Sequence, residues 1–150
     1  MKYSEERKDL FSVQDEYYLA HCISADFGMG KGIVVEFNKR YDLKNTLQKK
    51  YHNFLSHWDI VDDDKKGDCV LEGKVFNLIT KRNYWLKPTY KTLTNSLNAM
   101  KILALNNNVK KIAMPLIGCG LDRLKWDKVS EIIKETFSDT DIEILICVKW

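Results

Sequence analysis

The stretch Pro115-Leu116-Ile117-Gly118-Cys119-Gly120-Leu121-Asp122 decides how the chain is read. It follows a short apolar run, Lys111-Ile112-Ala113-Met114, that reads as a buried strand. It precedes a segment from Asp127 to Phe137 in which Val129, Ile132, Ile133, Thr136 and Phe137 recur at helical spacing. A glycine-bearing turn between strand and helix can close backbone N–H groups on an anion, near the positive end of the helix dipole. Many α/β turns contain two glycines, so this one alone identifies nothing. The same order occurs earlier in the chain. Tyr17 to Ile23 reads as a strand, Ser24 to Gly32 as a loop with three glycines in five positions, and Ile33, Val34, Phe37 and Tyr41 as the apolar face of a helix.

The remaining segments fit the same scheme. Met1 to Arg7 alternates weakly, as an opening strand does, and residues 8–12 form a turn. Leu43, Leu47, Tyr51, Phe54 and Leu55 predict one helix within 42–58. Asp68 to Gly73 and Lys74 to Thr80 predict two strands joined by the tight turn Glu72-Gly73-Lys74. Val75, Phe76, Leu78 and Ile79 point to burial on both faces of the second. Pro88 or Thr89 opens a helix whose stripe is Tyr90, Leu93, Leu97, Met100 and Ala104. Ile142 to Val148 reads as a further strand, and Trp150 after it has two readings, packing near the ligand cleft or covering the sheet edge, of which the second is favoured. Alternating strands and helices predict a three-layer α/β domain over 1–150, with helices on both faces of a mixed sheet.

Composition sets bounds on function. A chain of 150 residues, 45% apolar and 30% charged, suggests one globular domain with a sizeable core. A net charge of +3, with lysines spread in pairs, does not mark a dedicated nucleic-acid binder. Cys22, Cys69, Cys119 and Cys147 include no C-x-x-C pair, and no histidine sits at zinc-finger spacing, so neither a disulfide framework nor a zinc site is expected. The acidic run Asp62-Asp63-Asp64 lacks the EF-hand pattern and reads as a solvated loop. A charged N-terminus and the lack of a long apolar run argue against a signal peptide or membrane span, so a reducing, cytoplasmic setting is expected.

In α/β sheets ligands bind outside the carboxyl ends of the strands. The loop 24–32, Lys81 and the loop 117–122 all fall at such ends. Two glycine loops on one crevice suit a diphosphate, yet neither fits the P-loop or G-x-G-x-x-G spacing. Lys81 has two readings: a snorkelling lysine at a strand end, or a nucleophile. An amine attacks only when neutral, and burial against Phe76, Tyr84 or Trp85 is the expected means of disfavouring its charge. Asp122 is either a turn residue before a helix or a group that moves protons.

Five segments, in order along nearly the whole chain, together resemble the macrodomain family. They are His21-Cys22-Ile23-Ser24, Met29-Gly30-Lys31-Gly32-Ile33, Leu78-Ile79-Thr80-Lys81, Lys87-Pro88-Thr89-Tyr90 and Pro115 through Leu124. Within the family they are most similar to the branch of the terminal ADP-ribose protein glycohydrolase, and to the DNA ADP-ribosyl glycohydrolase antitoxins.

The resemblance implies a macrodomain-like α/β/α sandwich that binds ADP-ribose in a cleft over the sheet. Asp9 matches the position that accepts from the adenine amino group, with Leu10 beside it. Ser24, Met29, Gly30, Gly32 and Ile33 match the first ligand loop. Pro115, Ile117, Gly118, Cys119, Gly120 and Leu121 match the diphosphate loop, and Lys81 and Asp122 match the catalytic pair. The implied reaction removes ADP-ribose from modified protein or DNA, through a lysine adduct, without metal or cofactor. The rivals are a reader that binds without cleaving and an enzyme acting on ADP-ribose 1″-phosphate or O-acetyl-ADP-ribose. A reader needs neither Lys81 nor Asp122. A monomer is the default expectation.

Overall fold

A computed structural model describes residues 1–149; the expectation for Trp150 lies outside the described residues. The strands are β1 (Lys2–Arg7), β2 (Tyr18–Ser24), β3 (Asp68–Glu72), β4 (Val75–Lys81), β5 (Lys111–Met114) and β6 (Glu143–Val148). The helices are α1 (Val34–Tyr41), α2 (Leu43–Lys50), α3 (Phe54–Ile60), α4 (Tyr90–Asn106) and α5 (Trp126–Phe137). The sheet order is β1-β6-β5-β2-β4-β3. Each neighbouring pair is parallel except β3 with β4, which form a hairpin across Gly73.

Strand alternation divides the core into two layers. Phe76 and Leu78 of β4 and Ile144 and Ile146 of β6 pack on one face, against Leu93, Leu97 and Met100 of α4 and Val129, Ile133 and Phe137 of α5. Val75 and Ile79 of β4 and Leu145 and Cys147 of β6 point to the other face, where Phe37, Leu43, Leu47, Phe54 and Trp58 of α1 to α3 meet them. With period-two strands buried on both faces, the molecule is a three-layer α/β/α sandwich, as expected.

Local chemistry sets the boundaries. Thr89 caps α4: its hydroxyl accepts from the Thr92 N–H at 3.1 Å, and the Thr92 hydroxyl accepts in return from the Thr89 N–H at 3.0 Å. The single helix expected within 42–58 is two. α2 stops at Tyr51, whose φ of −129° is not helical, and α3 begins after Asn53. The break lets both the Leu43–Leu47 pair and the Phe54–Trp58 pair reach the same apolar layer.

The topology fixes where a ligand can sit. All five parallel strands end along one side of the sheet, at Arg7, Val148, Met114, Ser24 and Lys81 in spatial order. The loop 24–32, Lys81 and the loop 117–122 all lie on that side.

Candidate active site

Lys81 closes β4, beside Ser24 of β2, where the register between the two strands shifts. Its Nζ lies 2.6 Å from Asp122 Oδ1. The two side chains are 14% and 13% exposed, so the pair is largely covered and still open to solvent. The apolar neighbours expected for Lys81 are placed otherwise. Phe76 belongs to the core layer under α4 and α5, and Tyr84 and Trp85 are exposed. The amine is paired instead with the Asp122 carboxylate.

The loop bearing Asp122 is folded on itself. Gly118 has φ of +73°, and its carbonyl accepts from the Leu124 N–H at 2.7 Å. The Arg123 N–H donates to the Gly120 carbonyl at 3.2 Å. These bonds turn the chain sharply after Gly118, so Asp122 points back toward Lys81. Ile117 is buried and anchors the loop, while Gly120 and Leu121 are exposed.

The first loop is anchored by a residue that sequence reading missed. Asp26 accepts from the Ser24 hydroxyl, from the Gly28 N–H at 3.1 Å, from the Tyr84 N–H at 3.3 Å and from Asn83 Nδ2 at 3.4 Å. Burial alone would raise its pKa, but these donors outweigh it and hold the carboxyl below its ordinary value. Ser24, expected at the ligand, is buried and spends its hydroxyl on Asp26. Met29 is also buried, in the layer with Phe27 and Phe37. Gly30, Gly32 and Ile33 stay on the surface.

The two loops meet: the Leu121 side chain lies 3.5 Å from the point where a Cβ on Gly32 would stand. Among the described residues, the N–H groups of Gly30, Lys31, Gly32, Gly120 and Leu121 donate to no protein acceptor. Backbone N–H groups left free on neighbouring loops are the kind of donor that an anion can engage. At the other end of the cleft, Asp9 follows β1 and caps the short turn Leu10–Ser12 by accepting from the Phe11 N–H at 3.0 Å. Leu10 is buried beneath it.

Neither cysteine near the pair is poised to react. Burial, with the Asp122 and Asp127 carboxylates nearby, pushes the Cys119 thiol up to about 11. Burial drives the Cys22 thiol above its ordinary value as well. A thiolate is the nucleophilic form of cysteine, so both are disfavoured near neutral pH. Among the described residues no group of three or more His, Cys, Asp or Glu side chains is placed to hold a metal ion.

Residues 74–133 match the Macro domain family. The chain is 41% identical over 142 residues to the human protein "ADP-ribose glycohydrolase OARD1", covering 92% of this chain and 86% of that one. The chain belongs to the macrodomain family. Its fold is shared with the macrodomain of Mycobacterium tuberculosis DarG at a TM-score of 0.79 and 21% identity, covering 99% and 97% of the two chains. A structure titled "Thermosipho africanus DarTG in complex with ADP-ribose" has a TM-score of 0.75 and 18% identity, covering 98% of this chain and 41% of that one.

Proposed function

We propose that this macrodomain is an ADP-ribose glycohydrolase that releases ADP-ribose from modified protein carboxylates or DNA, with Lys81 as nucleophile and Asp122 as its proton partner. The observation that carries this reading is the 2.6 Å Lys81–Asp122 pair at the foot of two loops with free N–H groups. The human relative named an ADP-ribose glycohydrolase supports it.

The cleft has the right length. From the end of β1 to the end of β4 there are four strand gaps, or about 19 Å at the usual strand spacing. That is the reach of an extended adenosine diphosphate carrying a second ribose. The adenine lies at Asp9 and Leu10. The diphosphate lies between the loops 29–33 and 117–121, and the distal ribose stands over Lys81. Fixing the diphosphate with backbone donors holds C1″ near the amine, which lowers the entropic cost of attack.

Asp122 takes the proton that leaves the Lys81 ammonium and passes it to O4″ as the C1″–O4″ bond of the distal ribose opens. The free pair on Nζ forms a bond to C1″, and the bond from C1″ to the acceptor breaks, the acceptor leaving with that electron pair and a proton from Nζ, so that an iminium joins Lys81 to C1″. Water adds to C1″, the Nζ–C1″ bond breaks to return the protonated amine, and O4″ recloses on the C1″ aldehyde to give ADP-ribose. Nothing in this route needs a metal or a cofactor.

The test is Lys81→Ala. The variant should bind ADP-ribose within about threefold of wild type by titration calorimetry, and lose release from ADP-ribosylated substrates by about 100-fold or more. Borohydride reduction during turnover should leave an ADP-ribose mass on the peptide containing Lys81. Turnover at the wild-type rate by Lys81→Ala would sink the covalent route.

A further inference from the structure

Lys87-Pro88-Thr89-Tyr90 leads into α4, and none of its side chains has a part in the reaction so far. Its backbone is firmly set. Pro88 is buried, and a proline disfavours the helical conformation in the residue before it. Thr89 caps the helix by its exchange with Thr92. From this base two side chains reach the loop that carries Asp122. The Lys87 ammonium donates to the Leu121 carbonyl. The Tyr90 hydroxyl accepts from the Lys125 N–H at 3.0 Å. The Leu121 carbonyl belongs to the planar peptide group that leads into Asp122, so the first bond fixes the plane from which the Asp122 Cα departs. The second holds the residue before α5, and the Lys128 ammonium, 5.4 Å from the Tyr90 ring centroid, ties that helix to the same side chain.

The loop needs such ties. Ile117 and Leu124 pack into the core and anchor its base, while Leu121 and Arg123, on either side of Asp122, are exposed. Its internal bonds, from the Leu124 N–H to the Gly118 carbonyl and from the Arg123 N–H to the Gly120 carbonyl, set its shape and leave its direction open. Arg123 stands at φ of +62°, a conformation that a residue with a side chain keeps only where its surroundings over-determine it. Among the described residues, three hydrogen bonds join residues 121–125 to the chain outside this loop and α5. They are the Asp122 contact with Lys81 and the two from Lys87 and Tyr90.

We propose that Lys87 and Tyr90 are positioning residues that brace the loop from the start of α4 and hold Asp122 on Lys81. This rests on the glycohydrolase reading, and adds to it the side chains that keep the proton partner in place. A misplacement of about 1 Å at a reacting group costs about 100-fold in rate. Partial freedom of this loop therefore lowers turnover, while the ligand contacts at Asp9 and in the loop 29–33 stay as they are.

The test uses Lys87→Met, Lys87→Arg and Tyr90→Phe in the full chain. The substrate is whichever the wild type turns over of a peptide with glutamyl ADP-ribose and an oligonucleotide with base-linked ADP-ribose. Titration with ADP-ribose reports that each variant is folded, and affinity should stay within about threefold of wild type. Lys87→Met and Tyr90→Phe should each lower kcat about tenfold with little change in KM, and Lys87→Arg should recover most of the loss. In an Asp122→Asn background Lys87→Met should cost less than about twofold more, because it acts through that carboxylate. A full tenfold loss in that background, a loss carried by KM alone, or an unchanged kcat in both variants would each overturn the brace. If wild type released ADP-ribose from neither substrate, the glycohydrolase reading would fail, and amide hydrogen exchange would decide the brace by itself. The Arg123 and Leu124 amides should exchange about tenfold faster in Lys87→Met than in wild type, and equal rates would overturn it.

Discussion

Lys81 and Asp122 are 41 positions apart in sequence and share a hydrogen bond of 2.6 Å. One stands at the rigid end of a fully buried strand, the other on a loop bent back by Gly118. The nucleophile is thus fixed by the sheet, and its proton partner depends on a turn. Asp122→Asn keeps an oxygen near the Lys81 amine and removes the proton acceptor. Its kcat should fall about 100-fold or more, as for loss of general acid–base assistance. ADP-ribose affinity should change less than threefold. A variant with nearly normal kcat would reduce Asp122 to orienting the sugar.

Asp26 gathers donors from both sides of the cleft base: Ser24 and Gly28 from its own loop, Asn83 and Tyr84 from the next. Asp26→Ala leaves those donors without their shared acceptor and releases the loop 24–32. ADP-ribose affinity should fall about tenfold, or ~1.4 kcal/mol, with kcat reduced less than affinity. Calorimetric titration and steady-state kinetics check this. Affinity within twofold of wild type would show that the loop holds itself.

Much of this arrangement can be read from the sequence, and the parts that cannot share a physical cause. The strands and α4 follow from periodicity, because runs such as Val75 to Thr80 and the stripe from Tyr90 to Ala104 leave few alternatives. The split between α2 and α3 is hidden, since Tyr51-His52-Asn53 contains neither proline nor glycine. The two glycine loops announce themselves by composition. Asp26 does not, because two of its partners lie 57 and 58 positions away. The pattern Ser24-x-Asp26 was its only local trace. Met29 shows the converse: it looks like a contact residue in a glycine loop, yet the structure uses its side chain to fill the core. Local pattern reports what the backbone does, while the direction of a loop side chain is decided by distant packing.

His21 faces Asn77 across β2 and β4, with Nε2 2.6 Å from the amide oxygen, and stacks on Phe37 at 3.9 Å between ring centroids. It is fully buried, and its Nδ1 has no partner among the described residues. Burial lowers its pKa to about 4, with the hydrogen bond to Asn77 partly opposing that shift. The unfolded chain, titrating near 6.5, takes up the proton first. The stabilisation is therefore complete above about pH 6.5 and is lost as pH falls toward 4. The depressed pKa of about 4 converts to roughly 3 kcal/mol lost across that window. His21→Leu should show a shallower fall in urea-unfolding free energy between pH 7 and 4, whatever its stability at pH 7. An unchanged slope would remove His21 as the cause.

Gly118 and Gly120 stand two residues apart in the same loop, and the structure asks different things of them. Gly118 has φ of +73°, and a Cβ there would stand 3.1 Å from Leu124 Cδ1. Gly120 has no positive φ, and a Cβ on it would meet no atom within 4 Å. An alanine at the first position adopts a left-handed conformation at a cost of about 1–2 kcal/mol, before any shift of Leu124. Since Leu124 closes the loop by donating to the Gly118 carbonyl, that shift also opens the turn that presents Asp122. Gly118→Ala should lower Tm by about 3–8 °C for a domain of this size. Gly120→Ala should lower it by no more than about 1 °C. Calorimetry on both variants decides the point: equal Tm values would mean that the bend after Gly118 is not what holds the loop.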